Sequence, residues 1–224
     1  MSTSLDVGTK ILEANDRLAL ENRNLFDSHA VLVVDLLSSP GSGKTTTILA
    51  LIKALGERYK IGVIEGDIAS DVDAQTIKES GCPAVQINTG GLCHLESNMI
   101  KKALTKFDLD ELDLIIIENV GNLVCPVDFD LGEDLKCMIL SVPEGDDKPL
   151  KYPGVFQAAR ALIVNKIDTL PAFDFDMQAF EDEVQRLNPQ APIFKISALK
   201  TDGVSELANW LAEKIETKKK AAEH

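Results

Sequence analysis

The sequence predicts an α/β fold built on a mostly parallel central sheet with helices on both faces, and three observations lead there. Short apolar runs alternate with helical patterns along the chain, a Gly-rich turn links the first run to a helix, and each later motif falls at the end of a run. Ligands in such folds bind at the carboxyl ends of the strands, which is where these motifs lie.

The strands are expected at Ala30–Leu37, Ile61–Ile64, Ala84–Ile87, Leu112–Ile117, Cys137–Val142, Ala161–Val164 and Pro192–Ile196. Helices are expected at Thr45–Tyr59, Asp73–Ser80, Leu95–Phe107, Asp176–Leu187 and Val204–Lys218. Ahead of the first strand, Leu5, Leu12, Ala19 and Phe26, with Ile11, Leu18 and Leu25, repeat at seven-residue spacing. That spacing predicts an amphipathic helix whose apolar side covers either its own domain or a second subunit or partner.

With 224 residues the chain fits one compact domain whose core needs no covalent staples. Its 36 acids outweigh 23 bases for a net charge of −13, which disfavours nucleic acid as a partner. Lys218-Lys219-Lys220 reads as a solvated helix end or disorder. No apolar run approaches the roughly 18 residues of a membrane span and no signal-peptide pattern opens the chain, so a cytoplasmic protein without membrane contact is expected. Four cysteines in such a setting are not expected to form disulfides.

Residues 38–45, Ser-Ser-Pro-Gly-Ser-Gly-Lys-Thr, have the strand–loop–helix context of a P-loop. Ser39, Pro40, Gly41, Ser42, Gly43 and Thr46 surround the position of a phosphate chain, wrapping it with the backbone N–H groups of all but Pro40, while Lys44 reaches the β/γ oxygens and Thr45 offers a hydroxyl to Mg²⁺. The usual pattern begins with glycine where this chain has Ser38, and serine is strained if φ is positive there.

Asn165-Lys166-Ile167-Asp168 selects the base. An Asp168 carboxylate accepts from guanine N1–H and its 2-amino group, whereas adenine offers neither donor. Lys166 can lie along the base, Asn165 can tie the segment to the P-loop, and Ser197-Ala198 at the last strand's end completes a guanine pocket.

Cys93-His94 and Cys125 form a second constellation. Thiolate and imidazole suit nickel, zinc or copper better than magnesium. Cys125 lies four residues past Gly121 in Glu118-x-x-Gly121, the acid-x-x-Gly element that senses a γ-phosphate in P-loop GTPases. Cys82 and Cys137 are expected to be inert core thiols. Three donors leave a closed structural zinc site one ligand short, which implies water, a twin subunit's ligand or an exchangeable site.

Together with Gly66-Asp67, Glu118-Asn119-Val120-Gly121-Asn122-Leu123-Val124-Cys125-Pro126 and the stretch Glu144–Pro153, these motifs make the chain resemble the hydrogenase nickel-incorporation GTPases of the HypB family over about residues 5–218. The resemblance implies a GTP-hydrolysing metallochaperone with residues 1–28 as an N-terminal helical segment and 29–224 as the P-loop GTPase domain. It implies a catalytic set of Lys44, Thr45, Asp67 and Glu118, with Thr45, Asp67 and Glu118 about Mg²⁺, and nickel or zinc at Cys93, His94 and Cys125. It further implies a homodimer on GTP binding, and partnership with other hydrogenase maturation proteins and the hydrogenase large subunit. Some members carry N-terminal Cys-rich or His-rich nickel motifs; here the first cysteine is Cys82 and the first histidine His29, so nickel storage at the N-terminus is not expected.

No glutamine or arginine finger stands out, so slow intrinsic hydrolysis is expected. Asp67 can alternatively cap the helix after it, and Lys148 and Lys151 are expected in a loop, either solvated or reaching a neighbour's nucleotide. Two other classes compete: a P-loop kinase of a small metabolite, against which the guanine motif argues, and a zinc-stabilised interaction module, against which Lys44-Thr45 argues. Because Cys125 shares a segment with Glu118 and Gly121, nucleotide state is expected to act on the metal site.

Overall fold

The computed structural model describes residues 7–67 and 72–223, the side chains of 7–11 and 72–73 excepted. Leu5, the side chain of Ile11 and the start of the helix that Asp67 would cap therefore lie outside the described residues. Seven strands form one sheet: β1 (Leu32–Ser38), β2 (Ile61–Asp67), β3 (Ala84–Asn88), β4 (Leu114–Glu118), β5 (Leu135–Ser141), β6 (Ala161–Asn165) and β7 (Ile193–Lys195). Their spatial order is β3-β2-β4-β1-β5-β6-β7 with parallel pairing throughout. The helices are α1 (Val7–Ser28), α2 (Lys44–Leu55), α3 (Val72–Glu79), α4 (Ser97–Leu104), α5 (Lys148–Lys151), α6 (Pro153–Ala158), α7 (Met177–Leu187) and α8 (Val204–Ala222).

Alternation along β1 divides the core. Leu32, Val34 and Leu36 pack with Ile48, Leu51 and Leu55 of α2 and Leu207, Leu211 and Ile215 of α8. On the opposite face Val33 joins Phe26 of α1 and Ile100 of α4, while Leu37 joins Phe156 and Phe180. Asp35 shares that second face and is wholly buried, a charged exception inside an otherwise apolar strand. All strands point their carboxyl ends the same way, so β1, β2, β4 and β6 deliver Ser38, Asp67, Glu118 and Asn165 to one edge of the sheet.

α1 lies on its own domain, against α4 and β1. Ala19 and Phe26 are buried as the heptad predicts, but Leu25 is exposed, and Asn15 and Asn22 fill the rest of the buried stripe. The reason is polar anchoring. Asn22 Nδ2 donates to the carbonyls of Ser97 (3.0 Å) and Leu131 (3.1 Å), and Asn15 Nδ2 donates to the Asp130 carbonyl at 2.7 Å. A buried asparagine with its partners satisfied holds a helix in one register where an apolar residue could slide.

Two expectations change. Lys218 pairs with Asp27 and Asp134, and Lys219 with Asp113, so two of the three tail lysines anchor α8 rather than float in solvent. The segment 148–158 is helical, as α5 and α6; pieces of four and six residues are too short to show a helical period. No described helix is long and apolar enough to cross a membrane.

Candidate nucleotide and metal site

β1 ends at Ser38 and the turn passes through Gly41 (φ 76°) and Gly43 (φ 93°) before α2 begins at Lys44. Positive φ falls on the glycines and not on Ser38, which keeps strand conformation, so the strain foreseen for a serine there does not arise. Ser38 instead contributes chemistry: its hydroxyl is 2.8 Å from Lys44 Nζ and donates to the Ser39 carbonyl. That bond holds the ammonium over the loop. The N-terminus of α2 opens on the same loop, and the positive end of a helix suits an anion there.

Thr45 donates its hydroxyl to Glu118 Oε1 at 2.9 Å. Asp67 closes β2 beside it, and all three line one cavity of about 570 Å³ together with Lys44 and the P-loop. Hydroxyl and carboxylate oxygens are hard donors, which suits Mg²⁺ among these three residues. Glu65 lines the same cavity, nearly fully buried and opposite Glu118 in the β2–β4 register. The sequence reading passed over Glu65, although its place two residues before Asp67 on the same strand puts both side chains on one face.

Beside it is a cavity of about 200 Å³ lined by Gly43, Thr46, Lys166, Asp168, Ser197 and Ala198 among others. Asn165 builds the junction. Its Nδ2 donates to the Ser42 carbonyl at 3.0 Å, and its Oδ1 accepts from Lys166 N at 2.8 Å and Ala198 N at 3.0 Å. One side chain thus ties the P-loop, the Asn-Lys-Ile-Asp segment and the Ser197-Ala198 turn. A Cβ on Gly43 would come within 2.4 Å of that same Nδ2, so the closeness of the tie requires glycine. Lys166 adopts left-handed geometry (φ 61°) and its ammonium reaches the Gly41 carbonyl at 2.7 Å, laying its methylenes along the cavity wall. A hydrogen bond from Ser197, aided by Lys200, holds the Asp168 carboxyl below the usual carboxylate range. Ionised, it presents acceptors only, the complement of guanine's N1–H and 2-amino donors.

The ligand atoms of Cys93, His94 and Cys125 lie within 4.8 Å of one another, and no further donor joins them among the described residues. Cys93 Sγ is 3.7 Å from His94 Nδ1. The His94 ring stacks on Phe129 with centroids 3.8 Å apart, and Glu96 Oε1 is 3.7 Å from His94 Nε2. Hydrogen bonding with Cys125, then burial, raises the Cys93 pKa. Two soft sulfurs and an imidazole fit nickel or zinc. Cys82 and Cys137 are buried, and burial pushes their thiols up to about 11 and about 12.

Lys148 opens α5 with its ammonium 5.4 Å from the Tyr152 ring centre, and Lys151 pairs with Asp147. Neither is drawn into the two cavities just described.

The P-loop at the carboxyl end of the central strand and the all-parallel sheet define a P-loop nucleotide-binding protein. The model of the CobW/HypB/UreG nucleotide-binding domain matches residues 32–195. The hydrogenase maturation factor HypB of Azotobacter vinelandii is 47% identical over 220 residues, covering 98% of this chain and 73% of that protein. The crystal structure of HypB from Helicobacter pylori in complex with nickel superposes with a TM-score of 0.87 at 40% identity, covering 91% of this chain and 96% of that one. HypB from Archaeoglobus fulgidus gives 0.85 at 37% identity, covering 91% and 99%. The chain belongs to the HypB family of hydrogenase maturation factors.

Proposed function

We propose that this protein hydrolyses GTP and uses its nucleotide state to control a nickel site at Cys93, His94 and Cys125, delivering the metal to the large subunit of a [NiFe]-hydrogenase. The observation that carries the reading is the three-way tie at Asn165, which sets an ionised Asp168 beside the phosphate-binding loop. Family membership supports the maturation role, and the nickel complex of the Helicobacter pylori protein favours nickel over zinc as cargo.

In this account residues 29–224 are the GTPase domain and 1–28 an appended helical segment. Ser39, Pro40, Gly41, Ser42, Gly43 and Thr46 enclose the phosphates, while Asn165, Lys166, Asp168, Ser197 and Ala198 hold the base. Thr45, Asp67 and Glu118 would hold Mg²⁺, which would supply positive charge at the phosphates. Lys44 adds a fixed cation where charge develops during transfer to water, and the loop's N–H groups orient the chain for in-line attack. Glu118 and Gly121 answer to the γ-phosphate, and Cys125 follows them on the same segment. GTP binding pairs two subunits; other maturation proteins and the hydrogenase complete the set of partners in the cytoplasm. A net charge of −13 is unfavourable for nucleic acid.

Phosphate release from GTP and from ATP, measured with Mg²⁺ at equal concentrations, tests the reading. Selective GTP turnover supports it; equal turnover of ATP contradicts the guanine assignment, and phosphate transfer to a metabolite instead of water makes the protein a kinase.

A further inference from the structure

Two asparagines on the loop leaving β4 reach the peptide groups on either side of His94. Asn122 Nδ2 donates to the Cys93 carbonyl at 3.3 Å, and Asn119 Oδ1 accepts from Leu95 N at 3.3 Å. The loop that carries Cys125 therefore also grips the other two donors through their backbone. We propose that Asn119 and Asn122 are positioning residues that make Cys93-His94 follow the Glu118–Cys125 loop, so that nucleotide state reaches all three metal donors through these two amides. This rests on the reading that nucleotide state and metal site are coupled.

The orientation of both amides is fixed by their other partners. Leu95 N and Val120 N can only donate, so Asn119 Oδ1 must face them, which leaves Nδ2 3.0 and 3.3 Å from the two oxygens of Asp35. Asp35 is buried beneath it with Lys136 Nζ at 3.5 Å, and that ammonium also donates to the Phe129 carbonyl at 2.9 Å. Phe129 is the residue stacked on His94, so the far side of the imidazole is braced from the same buried group. Asn122 Oδ1 accepts from Val124 N at 2.9 Å, which turns Nδ2 toward Cys93.

The other end of the loop touches the phosphate side. Glu118 is bonded to Thr45, and Gly121 sits so close to the P-loop that a Cβ there would lie 2.9 Å from Pro40 N. Asn119 and Asn122 flank this contact. A displacement of the loop at Pro40 or Thr45 passes into residues 93–95 at Asn119 and Asn122, away from Cys125 on the same loop, so the three donors shift unequally, and metal–ligand distances tolerate only about 0.2 Å. A loop carrying Cys125 alone would change one ligand; this one changes three.

The test titrates nickel into the full chain loaded with GDP and, separately, with a non-hydrolysable GTP analogue, and compares the ratio of the two affinities. For the wild type the ratio should be about fivefold or more. Asn122→Ala, on a part-exposed loop position, should bring that ratio toward one, and Asn119→Ala should do the same where its buried site tolerates the change. Asn122→Asp keeps an acceptor for Val124, replaces the donor to Cys93 with a carboxylate oxygen and adds a charge that acts in both nucleotide states, so the ratio should again move toward one. A lower affinity by the same factor in both nucleotide states would mean a purely structural role and overturn the proposal, as would an unchanged ratio in both Asn122 variants. A wild-type ratio of one would instead remove the coupling reading itself.

Discussion

Thr45 Oγ1 lies 2.9 Å from Glu118 Oε1, which joins the first turn of α2 to the last residue of β4. The two groups are thereby held side by side in the cavity that Asp67 also lines. Thr45→Val keeps the volume and removes the hydroxyl. GTP turnover at saturating Mg²⁺ should fall about 100-fold or more, the scale seen when one positioned polar group is lost from a charge-stabilising site. Steady-state phosphate release checks this, and a rate within a few-fold of wild type would remove Thr45 from the site.

Ser38 makes a prediction opposite to the one the P-loop pattern suggests. Its backbone is strand, and its hydroxyl meets Lys44 Nζ at 2.8 Å. Ser38→Gly therefore relieves no strain. It adds backbone freedom to the unfolded chain, about 0.5–1 kcal/mol of destabilisation, and releases Lys44 from one partner. Denaturant unfolding should show a lower midpoint; a more stable variant would contradict the assigned geometry.

In the proposed function, base selection rests on Asp168. In Asp168→Asn an amide donor faces guanine's own donors, so GTP affinity should drop about tenfold to 100-fold while xanthine nucleotide, with an acceptor at that edge, gains. Competition binding with GTP, XTP and ATP measures all three. Unchanged preference for GTP would place the base elsewhere.

The four thiols should separate into two classes. Burial pushes Cys82 to about 11 and Cys137 to about 12, leaving at pH 8 only about one thiolate in a thousand or fewer. Cys93 and Cys125 are half-buried and reachable. A small alkylating reagent at pH 8 should label these two and spare the others. Labelling at Cys93, whose pKa is raised, should quicken by up to about tenfold per unit as pH rises toward that pKa. Nickel or zinc should protect both half-buried thiols, and should bind more weakly as pH falls because protons return to the donors. Mass spectrometry of the peptides identifies the labelled positions; rapid labelling of Cys137 would contradict the core described here.

The strands and the P-loop were legible in the sequence because each is a local pattern: an apolar run of four to eight residues for a strand, glycines at fixed offsets for the loop. Asn165, Lys166 and Asp168 were legible for the same reason. Asn119 and Asn122 were present in a quoted motif, yet nothing in residue type distinguishes a loop asparagine that grips a peptide 29 or 24 residues away from one that faces water. Asp35 and Lys136 escaped notice because they sit in apolar strands and find each other only through the β1–β5 pairing. Asn15 and Asn22 hid within a heptad that seemed to need only its apolar residues.

Reciprocal linkage gives the most direct measurement of the central claim. If nucleotide state sets the geometry of Cys93, His94 and Cys125, bound nickel must shift the ratio of GTP-analogue to GDP affinity by the same factor by which nucleotide shifts nickel affinity. Calorimetric titration of both nucleotides, with and without nickel, reads that factor. The account predicts a shift of about fivefold or more that disappears in the Cys93→Ala/Cys125→Ala double variant. An identical nucleotide ratio with and without nickel would contradict it and leave two independent sites on one domain.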